Sequence, residues 1–359
     1  MSNTVFVFCH GLNGTGQYDE QYEKDPYWGG ASGDVVAEWR AKGVEAYAAS
    51  VSPQGSAWDR ACELYAQIAG TRTDYGKAHS EEYKHGRIGR DFSGSPLIAS
   101  WNDDTRLVLI GHSFGGATIR LFAELLANGN AKERAATAPE NLSPLFAGGM
   151  GERVKAIVTL AAPTNGTTAY DLAADPEFNA RKVRTPLKFR LLDRLVKRRT
   201  KIRMDGRDPR DWANYDMTLD NAQALNARIQ MLPHVYYLSV ACDATMPGEG
   251  GVRVPDSALM DPLFVRSGIL MGCYSGTTAA GCVVDDAWHA NDGLVNTVSA
   301  RAPFGEPQTA FDKEKLERGV WNVMPDLQVD HSFFSGGYIH KTDPHPFFGD
   351  LLELLLTLE

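Results

Sequence analysis

The sequence predicts an α/β fold with a mainly parallel central sheet covered by helices on both faces. Short β-branched apolar runs recur at Thr4–Cys9, Val44–Val51, Leu107–Ile110, Val154–Ala162 and Val235–Cys242. Between them lie segments with apolar residues at helical spacing, such as Ser32–Lys42 and Ala117–Ala127. That alternation implies parallel strands joined by crossover helices, with the strands buried on both sides. At 359 residues, with no internal repeat or low-complexity linker, the chain reads as one domain over residues 1–359. Two insertions are expected, at about 56–100 and about 170–214.

The first strand ends in His10-Gly11-Leu12-Asn13-Gly14, a glycine-rich loop. The following helix is expected to be capped by Ser32, to turn Val35, Val36 and Trp39 inward, and to end at Gly43. The first insertion carries Asp59, His79 and His85. Ser56 and Asp59 have the spacing of a helix-capping pair, and both histidines fit the surface of a polar loop. With a fourth ligand from elsewhere the same three residues suit zinc, and spacing alone leaves the choice open.

The strand Leu107–Ile110 runs into Gly111-His112-Ser113-Phe114-Gly115 and then into a helix. A G-x-S-x-G between strand and helix is the sharp turn of an α/β-hydrolase, which lifts its serine to the tip of the sheet. The flanking glycines are required because a side chain there would meet neighbouring backbone. Ser113 is therefore the expected nucleophile. The expected oxyanion donors are the backbone N–H groups of Leu12, in the first loop, and of Phe114, which follows the nucleophile.

The second insertion holds a strongly basic stretch: Arg181–Arg207 carries twelve of the thirty-six Lys and Arg residues. Within it, Leu187, Leu191 and Leu195 share one helical face. This is an amphipathic surface helix or a movable lid at a lipid interface, and its position between two core strands favours the lid. The formal net charge of −9 argues against a nucleic-acid partner. The five cysteines show no C-x-x-C spacing, and free thiols are favoured over a Cys273–Cys282 disulfide. No stretch is long and apolar enough to span a membrane, and Met1 runs directly into a strand. The expected location is therefore extracellular if a leader has been removed and cytoplasmic otherwise.

In this fold the triad runs in chain order serine, acid, histidine. Histidines before Ser113 are out of order, His234 opens a strand, and His289 precedes the candidate acid. Of the remaining three, His331 follows the run Asn322–Val329, whereas His340 and His345 sit in a longer polar loop. The acid is left open between Asp243, at a strand end, and Asp292, in an Asn-Asp-Gly turn.

The sequence resembles the thermoalkalophilic zinc-containing triacylglycerol lipases of the Bacillus and Geobacillus type, with the staphylococcal lipases as more distant relatives. The likeness covers most of the chain. It is densest at His10-Gly11, Tyr27–Gly30, Trp58–Glu63, Asp74–Gly76 with His79 and His85, Gly111–Gly116, Asn214–Asp216, Asn291–Gly293 and Val329–His331. It implies Ser113 as nucleophile, Asp292 as acid, His331 as base, and Leu12 and Phe114 in the oxyanion hole. It also implies zinc on Asp59, His79, His85 and Asp216. Four protein ligands leave no position for an activated water, so that zinc would be structural. The activity implied is hydrolysis of acylglycerol esters, with a lipid interface as partner. The alternative is a carboxylesterase or polyester hydrolase with a reduced lid, acting on short-chain or polymeric esters.

Three departures from that family stand out. Phe114 occupies a position typically held by Gln. Phe333 stands where a calcium-binding Glu is expected, with Gly336–His340 inserted before Asp343-Pro344; a hard cation needs more than one carboxylate oxygen, so the resemblance supports calcium less than it supports zinc. The lid segment is also shorter and more basic.

Overall fold

The structure, a computed structural model, describes residues 3–174 and 207–359. Seven strands form its central sheet: β1 (Asn3–Cys9), β2 (Ala46–Ala49), β3 (Thr105–His112), β4 (Val154–Leu160), β5 (Tyr236–Val240), β6 (Gln308–Ala310) and β7 (Trp321–Val323). Their spatial order is β6-β7-β5-β4-β3-β1-β2, and every neighbouring pair is parallel. All five apolar runs read from the sequence lie in this sheet. The strands β6 and β7 are three residues each, too short to show a period.

Alternation along the strands divides the core into two layers. Val5, Val7 and Cys9 of β1 pack with Leu107 and Leu109 of β3 against two helices, α2 (Ala57–Ala69) and α4 (Gly115–Asn128). Phe6 and Phe8, with Val108 and Ile110, face the opposite way against α1 (Val35–Ala41) and the final helix, His345–Leu356. On that side Phe8 lies edge-on to both Trp28 and Trp39, whose ring centroids are 5.0 and 4.9 Å away. Edge-to-face pairs of this kind add about 0.5–1.5 kcal/mol beyond burial.

Local capping follows the sequence with one correction. Ser32 closes a short 3₁₀ turn, and the cap of α1 is Asp34, whose carboxylate accepts from Val36 N. Gly33, at φ +119, turns the chain between them, a conformation that side chains resist. Ser56 caps α2 as expected, accepting from Asp59 N. The first insertion folds as α2, the short antiparallel pair Arg72–Asp74 with Ile88–Asp91, and between those strands α3 (Lys77–Tyr83). The expected lid helix, Leu187–Arg199, lies outside the described residues. Cys273 and Cys282 are not joined by a disulfide. Among the described residues no helix is long and apolar enough to cross a membrane.

Candidate active site

The chain turns sharply after β3. Ser113 sits at φ +54, a left-handed conformation that costs a non-glycine residue about 1–3 kcal/mol and persists only where its surroundings hold it. Those surroundings are tight. A Cβ on Gly115 would stand 2.1 Å from the Cys9 carbonyl oxygen, and one on Gly111 would stand 2.6 Å from the Gly115 backbone. Glycine is thus enforced on both sides of the turn, and Ser113 N donates to the Leu160 carbonyl at 2.9 Å.

Ser113 Oγ lies 2.8 Å from His331 Nε2, and His331 Nδ1 lies 2.7 Å from Asp292 Oδ2. The other carboxylate oxygen of Asp292 accepts from Leu294 N at 2.9 Å and Val295 N at 2.7 Å. Three residues remote in sequence are therefore brought into one hydrogen-bonded row, and all three are buried. Asp243, the other acid left open by chain order, is used elsewhere. It pairs with Arg253 at 2.5 Å and accepts from Thr245 N and Oγ1.

The loop after β1 lies directly over the serine. A Cβ on Gly11 would stand 2.7 Å from Ser113 Cβ, so only glycine permits this approach of Leu12 to the turn. Phe114 lies at the entrance to α4, with its ring fully buried. Arg60 of α2, also fully buried, supports both residues. Its guanidinium donates to the carbonyls of His10, Gly11 and Ser52 and lies 5.2 Å from the centre of the Phe114 ring. His10 is locked in one tautomer. Val51 N donates to its Nε2, so Nδ1 carries the proton that goes to the Gly11 carbonyl. Burial, with the Arg60 charge nearby, pushes its pKa down to about 3.

A second cluster lies beside α2. Ligand atoms of Asp59, His79, His85 and Asp211 fall within 4.8 Å of one another. His79 Nε2, His85 Nε2, Asp59 Oδ1 and Asp211 Oδ2 are buried without a hydrogen-bond partner. Two imidazoles and two carboxylates with inward-facing orphaned atoms fit a four-coordinate divalent ion, and their nitrogen and oxygen donors suit zinc. Asp59, His79 and His85 occupy the expected places, but the fourth member is Asp211 and not Asp216. Asp211 precedes the one-turn helix Ala213–Asp216 and Asp216 ends it, and it is Asp211 that brings a carboxylate oxygen into the cluster. Asp216 instead accepts from Ala57 N at 2.7 Å, at the start of α2. Burial, aided by the Asp211 charge, raises its pKa to about 7.

Phe333 packs against Phe334 and Phe347, and the Asp343 carboxylate caps His345 N. Sequence reasoning passed over Arg60 and assigned no role to Tyr27 or His112. The signal for Arg60 was a cation on the apolar face of a helix, between residues that turn inward.

The chain matches the family described as "Lipase-like, C-terminal domain" over residues 2–192 and 191–344. It is 34% identical to Lipase 2 of Staphylococcus aureus across 92% of its own length and 50% of that protein's. It thus spans about half the length of the curated relatives it matches. Among solved structures, EstA from Clostridium botulinum superposes with a TM-score of 0.83 at 31% identity, covering 99% of this chain and 88% of that one. The lipase of Staphylococcus hyicus does so with a TM-score of 0.81 at 29% identity, covering 99% and 96%. With the parallel seven-stranded sheet and its serine-bearing turn, these matches place the chain in the α/β-hydrolase fold. The protein belongs to the lipase-like family.

Proposed function

We propose that the protein is a serine ester hydrolase acting on acylglycerols, with Ser113 as nucleophile, His331 as base, Asp292 as acid and residues 1–359 as a single catalytic domain. The observation that carries this reading is the row Asp292–His331–Ser113 at 2.7 and 2.8 Å. His331 Nε2 takes the hydroxyl proton as Ser113 Oγ bonds to the ester carbonyl carbon. Asp292 holds the Nδ1–H tautomer and stabilises the imidazolium. Backbone N–H groups of Leu12 and Phe114 receive the oxyanion. His331 then gives its proton to the leaving alcohol, which departs from the acyl-enzyme. Water, deprotonated by His331, releases the fatty acid and restores Ser113.

In the same reading Asp59, His79, His85 and Asp211 would hold zinc, which would cross-link α2, the α3 segment through His85, and the segment before Asp216, as a structural ion outside the reaction. The motifs from Trp58 to His85 support a kinship with the zinc-containing Bacillus and Geobacillus branch. No calcium is assigned.

The test is hydrolysis of p-nitrophenyl esters across acyl lengths, together with emulsified triacylglycerol above and below its solubility limit. Ser113→Ala is the control. Long-chain and emulsion activity is expected, and activity confined to short soluble esters would replace the lipase reading with an esterase. Equal rates for wild type and Ser113→Ala would end both.

A further inference from the structure

We propose that Tyr27 and His112 are positioning residues: a one-way hydrogen-bond chain through them ties the oxyanion loop at Gly11 to the backbone of the base at His331. The proposal rests on the esterase reading above.

Three contacts make the chain. Gly11 N donates to the Tyr27 hydroxyl oxygen at 3.0 Å. The Tyr27 hydroxyl lies 2.6 Å from His112 Nδ1. His112 Nε2 lies 3.0 Å from the His331 carbonyl oxygen. A carbonyl can only accept, so Nε2 of His112 carries the hydrogen. The neutral ring then offers a lone pair at Nδ1, which obliges the phenol to donate. That leaves the phenol oxygen to accept from Gly11 N. Every group has one permitted role, and the dipoles run head to tail, an order in which each bond strengthens the next. His112 is 2% exposed, and burial holds its imidazole neutral, as this order requires.

The chain sits where a small displacement matters. The Gly11 backbone is wedged between Ser113 and Tyr27: a Cβ there would stand 2.7 Å from Ser113 Cβ and 2.8 Å from the Tyr27 hydroxyl. Leu12 N–H, the proposed donor, is the next amide along. Arg60 holds the same loop independently by its carbonyls, so loss of the Tyr27 hydroxyl leaves the loop attached and its register relaxed. At the other end, His112 fixes the backbone of His331, whose ring meets Ser113. Tyr27 and His112 touch no reacting atom in this scheme. They set the distance between the oxyanion donor and the base.

The experiment counts active sites by stoichiometric fluorophosphonate labelling and expresses kcat per labelled site. Tyr27→Phe is expected to lower that kcat about ten- to a hundred-fold, with KM within about threefold of wild type. The inhibition constant of an alkyl boronic acid, which forms a tetrahedral adduct on the serine, is expected to rise in the same proportion. His112→Phe should match Tyr27→Phe, and the double variant should lose no more than either alone, because the contacts act in series. His112→Gln, which keeps an acceptor and a donor on one amide, should recover part of the loss. Labelling by wild type with an unchanged kcat per site in Tyr27→Phe would overturn the proposal and leave the esterase reading standing. So would a loss carried by KM, or by the number of labelled sites alone. Failure of wild type to label would remove the esterase reading and the proposal with it.

Discussion

Replacing Asp292 by Asn is the sharpest perturbation of the proposed triad, because the structure dictates how the new amide must sit. Asp292 Oδ1 accepts two backbone amides, from Leu294 and Val295, at 2.9 and 2.7 Å. The substituted side chain must keep its carbonyl oxygen there, since its NH2 group would face two other donors. The NH2 group is then turned to His331 Nδ1, which has to accept. The imidazole proton moves to Nε2, the atom 2.8 Å from Ser113 Oγ, where a lone pair is required. The protein folds with almost the same contacts and the base in the wrong tautomer. The loss expected for that error is about ten-thousand-fold in kcat, or about 5 kcal/mol of barrier, with KM little changed. Initial rates on a soluble p-nitrophenyl ester, normalised to folded protein by circular dichroism and melting temperature, measure it. Asp243→Asn is the matched control: it weakens the Arg253 contact and should lower stability while kcat stays within a few-fold. A decrease of less than about tenfold in Asp292→Asn, or an equal decrease in both variants, would refute the assignment.

Other outcomes follow from the same geometry. Removing the proposed zinc with a strong chelator, or replacing Asp211 by Ala, should lower the melting temperature by roughly 5 °C or more. Initial activity at low temperature should be largely retained. Asp216→Asn should leave metal content unchanged, and an unchanged melting curve after verified metal removal would dismiss the structural ion. Gly115→Ala places a methyl group 2.1 Å from the Cys9 carbonyl oxygen and should cost about 1–3 kcal/mol in denaturant unfolding while disordering the turn. His10 gives the pH dependence of stability a definite sign. The unfolded chain takes up a proton near pH 6.5 that folded His10 refuses until about pH 3, so stability should fall as pH drops through that window. Denaturation midpoints between pH 7 and pH 4 measure the slope, and His10→Gln should flatten it. An identical slope would assign the acid sensitivity to other groups.

What the sequence disclosed, and what it withheld, has physical causes. β1, β3, β4 and β5 are buried on both faces and announce themselves as mainly apolar runs. β6 and β7 extend for only three residues each and leave no period to read. The turn at Ser113 was legible because its glycines are demanded by contacts under 3 Å. The acid was not settled by chain order, because Asp243 and Asp292 both fall between Ser113 and His331; it is Asp292 that lies 2.7 Å from the His331 nitrogen. Asp211 was displaced by Asp216 for a similar reason. Two carboxylates flank one helical turn, and which of them turns towards His79 depends on tertiary packing. Tyr27, His112 and Arg60 belong to the same class: their partners lie 16, 219 and 50 residues away.

Helix α2 carries a consequence for assembly. Asp59 and Arg60 are adjacent residues, one directed to the metal-type cluster and the other to the loop over Ser113. A helix is stiff about its own axis, so any rotation that relaxes one grip twists the other out of place. The insertion that bears the cluster is therefore part of the chassis of the reactive centre, and the strands alone cannot finish it.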